Sequence, residues 1–416
     1  MRKIRLLITI VIGLIVVTSL HDPSGHADQL KITVITRTPN DDLDPVWSPD
    51  GEQIAFVGHH EGNPEVYVLD VAPGDLTNVS NSLLDDYDPL WSPDGHYLAF
   101  RRRDSYGHIH AVVRDLTADT EVELPITISS YAPMPWSPDS QHLFLTGNSD
   151  GMWCVIVYGV YSATSQNLAC RDTYYATTLS PDTRWMLVEW YETEVELVDL
   201  ESGRSRALNE VGYIDAEWAP DSHTFAYRNE DRSAICIYDV SVHRSKCLIL
   251  PKTDGRSSII GWSPTGQLAW AEEGFPAKFY VMEPHTDTFR EIATIDKIPP
   301  AQVVYPYSRV WSPRGHFIGF TTYAGAYALD TVTGTLHNPV YGRGYIQHLQ
   351  WSPDGQYMSA SLSTGEVAVA HLSTGEVSLL ENLIAWRHID WAPDGTRFVG
   401  VCGDYLATNL CLVELP

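Results

Sequence analysis

Asp88-Pro89-Leu90-Trp91-Ser92-Pro93-Asp94-Gly95-His96-Tyr97-Leu98-Ala99-Phe100 carries the pattern on which the whole chain is built. Versions of it recur around Trp47, Trp91, Trp136, Trp218, Trp262, Trp311, Trp351 and Trp391, with Leu179 in the one gap, which makes nine units. The mean spacing of about 43 residues lies in the range of propeller blades.

Each copy has a physical logic. Ser-Pro-Asp-Gly places a polar residue at i, proline at i+1 and glycine at i+3, the preferred composition of a type I turn. Ser48 to Gly51, Ser92 to Gly95 and Ser352 to Gly355 keep all four residues. An apolar strand leads into the tryptophan and an alternating strand such as Gln53-Ile54-Ala55-Phe56 leaves the turn, so each copy reads as a β-hairpin. Two more strands follow in most units, for example Glu65-Val66-Tyr67-Val68-Leu69 and Leu76-Thr77-Asn78-Val79-Ser80, and four strands make a blade. Leu179-Ser180-Pro181-Asp182-Thr183 has lost tryptophan and glycine, and Ser140 and Ser222 replace glycine after Pro138-Asp139 and Pro220-Asp221. Thr265 and Arg314 replace the aspartate. Proline still sets φ in all of these, so they are read as blades.

The ends of the chain complement one another. Lys31-Ile32-Thr33-Val34-Ile35-Thr36 resembles a fourth strand without its blade, while the last unit has Arg397 to Val401 and Leu410 to Glu414 but no fourth strand. The expected fold is therefore all-β: a single β-propeller of four-stranded blades, nine in number, closed by the N-terminal strand completing the last blade. Closure leaves only protected edges. Because propellers usually have roughly four to eight blades, eight blades with one irregular unit is the alternative. Almost no helix is expected after the N-terminal segment, and the longest loop is expected from Asp296 to Tyr307.

The formal charge of −26 excludes a nucleic-acid binder, which needs a basic face. Arg2, Lys3 and Arg5 precede the charge-free run Leu6 to Leu20, which suits a secretory signal better than a spanning helix. Residues 1–27 are read as a signal peptide, with an uncleaved membrane anchor as the alternative, and residues 28–416 as the propeller. The six cysteines fall as Cys154 and Cys170, Cys236 and Cys247, Cys402 and Cys411, each pair straddling a polar turn, and hairpin geometry predicts those three disulfides. An exported protein is expected, whether periplasmic, extracellular or anchored at the cell surface, and a monomer.

The Trp-Ser-Pro-Asp-Gly repeat followed by an Ile/Leu-Ala-Phe strand resembles the repeat of the TolB-type β-propellers, over Leu30 to Pro416. It is also similar to blades of prolyl-oligopeptidase-like peptidases. The TolB resemblance implies an exported bacterial protein that works by binding other proteins. TolB itself carries a separate domain before its propeller, for which Leu20 to Leu30 leave no room. The peptidase relatives carry an α/β-hydrolase domain; no Gly-x-Ser-x-Gly elbow is expected here, nor a tail beyond the last blade to hold such a domain, so a serine peptidase is not expected. A third group with similar repeats, the oligogalacturonate lyases, binds a metal with histidine-rich ligands at one end of the propeller.

Residues just before each tryptophan should gather at one mouth of the channel. Three positions before it stand Asp44, Asp88, Asp215, Ser308, His348 and His388, and one position before it Glu217, Gln350 and Asp390. Carboxylates and imidazoles together suit a divalent cation; the structural reading is that each caps a strand or bonds a neighbouring blade. No cofactor is otherwise expected. His108 and His110 share one strand face, which by itself makes no metal site. His59-His60 point to opposite faces, and Arg101-Arg102-Arg103 reads as a solvated strand end paired with carboxylates such as Asp104. Two functions follow: a non-catalytic module binding a protein, peptide or glycan at one face of the ring, or a metal-dependent enzyme of polysaccharide-lyase type at the channel mouth.

Overall fold

The computed structural model describes residues 30–416 except 39, 131, 175, 191–193, 209–210, 212–215, 230–232, 250–255, 274–275, 284–285, 287, 296–309, 323–324, 342–345, 382, 385–388 and 404–406. The predicted signal segment 1–27 and the whole of the predicted long loop at 296–307 fall outside the described residues.

Nine four-stranded antiparallel sheets form the blades, and no helix occurs among the described residues. Blade 1 runs Asp42–Trp47, Gln53–Gly58, Glu65–Asp70 and Leu76–Asn78. Blade 2 runs Asp85–Trp91, Tyr97–Arg103, Ile109–Asp115 and Thr120–Glu123. Blade 3 runs Thr127–Ile128, His142–Ser149, Met152–Gly159 and Thr164–Arg171. Blades 4 to 8 begin at Ala176–Leu179, Glu217–Trp218, Arg256–Trp262, Val310–Trp311 and Ile346–Trp351. Blade 9 contributes Asp390–Trp391, Arg397–Gly403 and Thr408–Glu414, and its fourth strand is Lys31–Val34. Lys31 pairs with Glu414, Ile32 with Val413, Thr33 with Leu412 and Val34 with Cys411, so the two ends close the ring as expected, with nine blades and not eight.

The turn residues explain themselves. In blade 1 the Gly51 amide donates to the Ser48 carbonyl at 2.9 Å, the Ser48 hydroxyl donates to Asp50 Oδ1 at 2.6 Å, and the amides of Glu52 and Gln53 donate to Asp50 and Ser48 side chains. Serine and aspartate thus satisfy the backbone that proline and glycine shape. Glycine takes φ of 71° at Gly51 and 73° at Gly95, and its replacements Ser140, Thr183 and Ser222 hold the same left-handed conformation at 61°, 57° and 60°. Two of them return something for it: Ser140 Oγ accepts the Asp94 amide of blade 2, and Ser222 Oγ accepts the Asp182 amide of blade 4, each at 3.0 Å.

The tryptophans hold blade to blade. Each marker indole N–H reaches the blade before it, and for all but Trp391 the acceptor is the carbonyl one residue before that blade's own marker position. Trp91 donates to Val46 O at 3.2 Å, Trp262 to Glu217 O at 2.9 Å, Trp311 to Gly261 O at 3.0 Å and Trp351 to Val310 O at 3.1 Å. Trp136 and Trp218 make the same bond at 3.4 Å to Leu90 and Thr178. Trp47 donates to Asp390 O at 3.1 Å, which closes the seam between blades 1 and 9. Trp391 uses a relay: it donates to Ser359 Oγ at 3.1 Å, and that hydroxyl donates to Gln350 O at 3.4 Å. Only an indole combines a large apolar body with a single N–H donor, which is why this residue recurs. Around it the blades pack sheet on sheet, as where Ala55, Val66 and Val68 of blade 1 meet Trp91, Leu98, Phe100 and Val112 of blade 2.

All six cysteines are paired as expected. Cys154 and Cys170, and Cys236 and Cys247, stand directly opposite one another on third and fourth strands. Cys402 and Cys411 bridge diagonally in blade 9, since Cys411 faces Gly400 and Cys402 faces Asn409.

Candidate functional site

The topology gives the ring two different faces. Each marker position leads into a proline turn, Ser-Pro in most blades and Ala-Pro after Trp218 and Trp391, before the second strand begins, so these turns, called the Ser-Pro turns below, share one face. The opposite face carries the turns between second and third strands and the crossings from blade to blade.

The residues singled out before each tryptophan are placed as follows. Asp44 and Asp88 both precede proline, take left-handed φ of 51° and 54°, and lie at bulges where the first strand slips register against the second. A bulge re-aims a side chain, and the Asp88 carboxylate, 54% exposed, comes to 3.0 Å from Arg101 Nε. Asp390 Oδ2 accepts the Trp47 amide at 2.8 Å, so this carboxylate bonds the neighbouring blade's backbone. Gln350 and Asp390 are brought together in a cavity of about 360 Å³ that is also lined by Trp311, Trp351 and Trp391. Glu217 is solvent-accessible, yet burial among surrounding protein raises its carboxyl pKa. That combination fits a group lining a channel better than one on a convex surface. His348 is exposed, and Asp215, Ser308 and His388 lie outside the described residues. Among the described residues no group of three or more His, Cys, Asp or Glu could hold a metal ion.

The arginine run corrects an expectation. Only Arg103 is exposed at the strand end, whereas Arg101 and Arg102 are 5% and 7% exposed. Arg102 grips the fully buried Asp86 with two bonds, of 2.8 and 3.0 Å, and reaches Glu121 at 2.6 Å. Burial works against the Arg102 charge, but these carboxylates outweigh it and raise its pKa, while burial raises that of Asp86. Arg101 instead serves blade 3, donating Nη1 to Ser129 O at 2.6 Å and Nη2 to Ala132 O at 2.5 Å.

Those two carbonyls need a donor because the first strand of blade 3 is broken. Pro125, Pro133 and Pro135 interrupt it, and proline cannot donate to a ladder. Only Thr127–Ile128 pairs as a strand, and Trp136 touches Leu143 through an isolated bridge. Next to the break a groove of about 590 Å³ opens across blades 2, 3 and 4, on the face opposite the Ser-Pro turns. Its walls are Trp153 and Tyr174 on one side, Gly107 to Ile109 on another, with Thr127, Ser129, Ser130, Pro133 and Thr177 between. The Trp153 and Tyr174 rings stack at 5.8 Å between centroids and 29° between planes. Burial pushes the Tyr174 phenol up, and its hydroxyl bonds to Thr177 and Thr146. Trp153 adjoins the bridged Cys154, so a disulfide fixes this wall. Exposed Tyr106 and Met152 stand beside the groove at turns of blades 2 and 3.

At the groove's rim His108 Nδ1 lies 3.1 Å and His110 Nε2 3.6 Å from one oxygen of Asp104. This carboxyl is held down at about 2, chiefly by the His108 amide and ring against desolvation. His60 Nε2 lies 2.6 Å from the fully buried Asp42. One pattern escaped the sequence reading: Gly147-Asn148-Ser149-Asp150-Gly151 has the spacing of a nucleophile elbow. The structure makes it a hairpin turn, with Asp150 at φ 53°, Gly151 at 87°, Ser149 paired to Met152, and Asn167 donating to Ser149 Oγ. An elbow needs a helix after the serine; here a strand follows. The groove itself also escaped that reading, although three prolines within a dozen residues of an expected first strand were a legible sign of it.

The model of the TolB beta propeller domain matches residues 25–266. No curated protein matches the chain. Among solved structures, the oligogalacturonate lyase of Vibrio parahaemolyticus is 12% identical, with 94% of each chain covered and a TM-score of 0.47. The tricorn protease is 12% identical at a TM-score of 0.42, and the match covers 83% of this chain but 44% of that one, so the chain spans less than half its length. TolB from Acinetobacter baumannii is 18% identical over 53% of this chain and 57% of its own, at a TM-score of 0.33.

Proposed function

The chain belongs to the TolB beta propeller domain family, and from that premise we propose that it is an exported, non-catalytic binding module whose ligand docks on the face opposite the Ser-Pro turns. The observation that carries this is the groove at the broken strand of blade 3. The marker tryptophans and turn aspartates build the ring, whereas Tyr106 and Met152 are exposed and the partly buried Trp153 and Tyr174, though packed on the core beneath, turn aromatic surface into the groove beside polar groups. Pockets of this composition bind ligands. Three disulfides suit an oxidising compartment. Among the described residues no helix is long and apolar enough to cross a membrane, so membrane attachment would run through the N-terminal segment. The partner is a protein, a peptide or a glycan.

A photo-crosslinking side chain placed at Met152, and separately at exposed Val332 on the Ser-Pro face, tests the reading in the producing cell. Adducts from Met152 and none from Val332 are expected. Equal adducts from both, or adducts from Val332 alone, would overturn it.

A further inference from the structure

We propose that the groove takes a neutral saccharide, one sugar ring lying against Trp153 and its hydroxyls meeting the hydroxyl and backbone groups of Ser129, Ser130 and Thr177. This rests on the binding-module reading and names the ligand class.

Three features of the groove select that class. The first is charge. The sequence holds 53 acidic and 27 basic residues, yet among the described residues no Asp, Glu, Lys or Arg lines the groove, His108 is the one imidazole in its lining, and the Asp104 carboxylate stands at its rim. A uronate or a phosphate would find no arginine or lysine among the described lining residues, a basic peptide would find only the rim carboxylate of Asp104, already engaged by His108 and His110, and burying an unpaired charge is costly. The second is shape. A concavity of about 590 Å³ is in the range of small-ligand sites, roughly 300–1,000 Å³, whereas a protein partner needs a broad face of about 800 Å² per side. The third is rigidity. Trp153 is held by its stack on Tyr174 and by the adjacent Cys154–Cys170 bridge, Tyr174 is held through Thr177 and Thr146, and Ser129 is held by Arg101. A rigid aromatic plate edged by polar groups complements a sugar, which has an apolar C–H face and a hydroxyl edge, and little freedom is lost on binding.

The test is titration of the purified chain with neutral β-linked glucose and N-acetylglucosamine oligomers, with uronic acid oligomers, and with unstructured peptides, read by tryptophan fluorescence and calorimetry. Saturable binding of a neutral oligomer is expected, at least ten-fold weaker in Trp153→Ala and abolished in Ser130→Trp, where an exposed site lets the new ring fill the groove without disturbing the core. Trp185→Phe, on the other face, should bind as the parent does. Preference for uronates or peptides, or neutral binding that survives both groove variants, would overturn the proposal. Crosslinks from Met152 with no neutral oligomer bound would overturn the ligand class alone; absence of both would remove the binding-module reading as well.

Discussion

Replacing Arg101 should reveal how the break in blade 3 is held. In Arg101→Met the apolar stem remains, but the Ser129 and Ala132 carbonyls lose their charged donors at 2.6 and 2.5 Å. Hydrogen bonds from charged groups contribute about 1.5–3 kcal/mol each. Ala132 is buried, so its carbonyl should lose the full amount, while Ser129 is partly exposed and water can replace part of its bond. The expected loss is about 3–4 kcal/mol, within the range for breaking a buried charged contact. Asp88→Asn removes the third partner, but that carboxylate is half in water, so its loss should be about 0–1 kcal/mol. Urea unfolding followed by tryptophan fluorescence measures both. If Arg101→Met cost under 1 kcal/mol, or as little as Asp88→Asn, Arg101 would not be what holds the 129–132 segment, and the account of the groove's origin would fail.

Three further outcomes follow from the ring. Trp47→Phe keeps the packing but removes the N–H that reaches Asp390 O, and should lower stability by about 1–2 kcal/mol; Trp391→Phe should cost less, because its acceptor Ser359 Oγ retains its bond to Gln350 O. Thr183→Gly should raise the melting temperature, since a β-branched residue at φ 57° is strained by about 1–2 kcal/mol, whereas Ser140→Gly should gain less because it forfeits the bond to the Asp94 amide. Acid should unfold the protein as pH falls from about 4 towards 2. The Asp50 and Asp139 carboxyls are held low, first by the Ser48 and Ser137 hydroxyls, and Asp199 sits at about 2 because Arg184 and turn amides outweigh its desolvation. Folded values below the unfolded value of about 3.9 mean that this stabilisation is complete above pH 4 and lost as the groups protonate; a melting temperature unchanged between pH 5 and pH 2.5 would contradict it.

The fold was legible because the residues that repeat are those that build it. Trp, Ser, Pro, Asp and Gly each have one local task, and the complementary defects at Lys31 and Leu410 already implied closure. The Trp–carbonyl bonds could not be read, since they join residues some 40–50 positions apart through packing. The channel-mouth residues were chosen on blade register, but bulges at Asp44 and Asp88 shift that register, and no local sequence rule fixes where a bulge falls. Arg101 and Arg102 misled for a related reason: burial depends on partners such as Asp86 and Ser129, which come from other segments of the chain. The groove depends on a break in the repeat, and a reading built on the repeat treats a break as noise.

Amide hydrogen exchange of the purified chain, with and without envelope extract of the producing cells, tests the central claim most directly. The account predicts slowed exchange at 104–110, 127–130, 150–153 and 176–179, around the groove, with the Ser-Pro turns unchanged. Slowing confined to those turns, or to the channel around Glu217, Gln350 and Asp390, would contradict it.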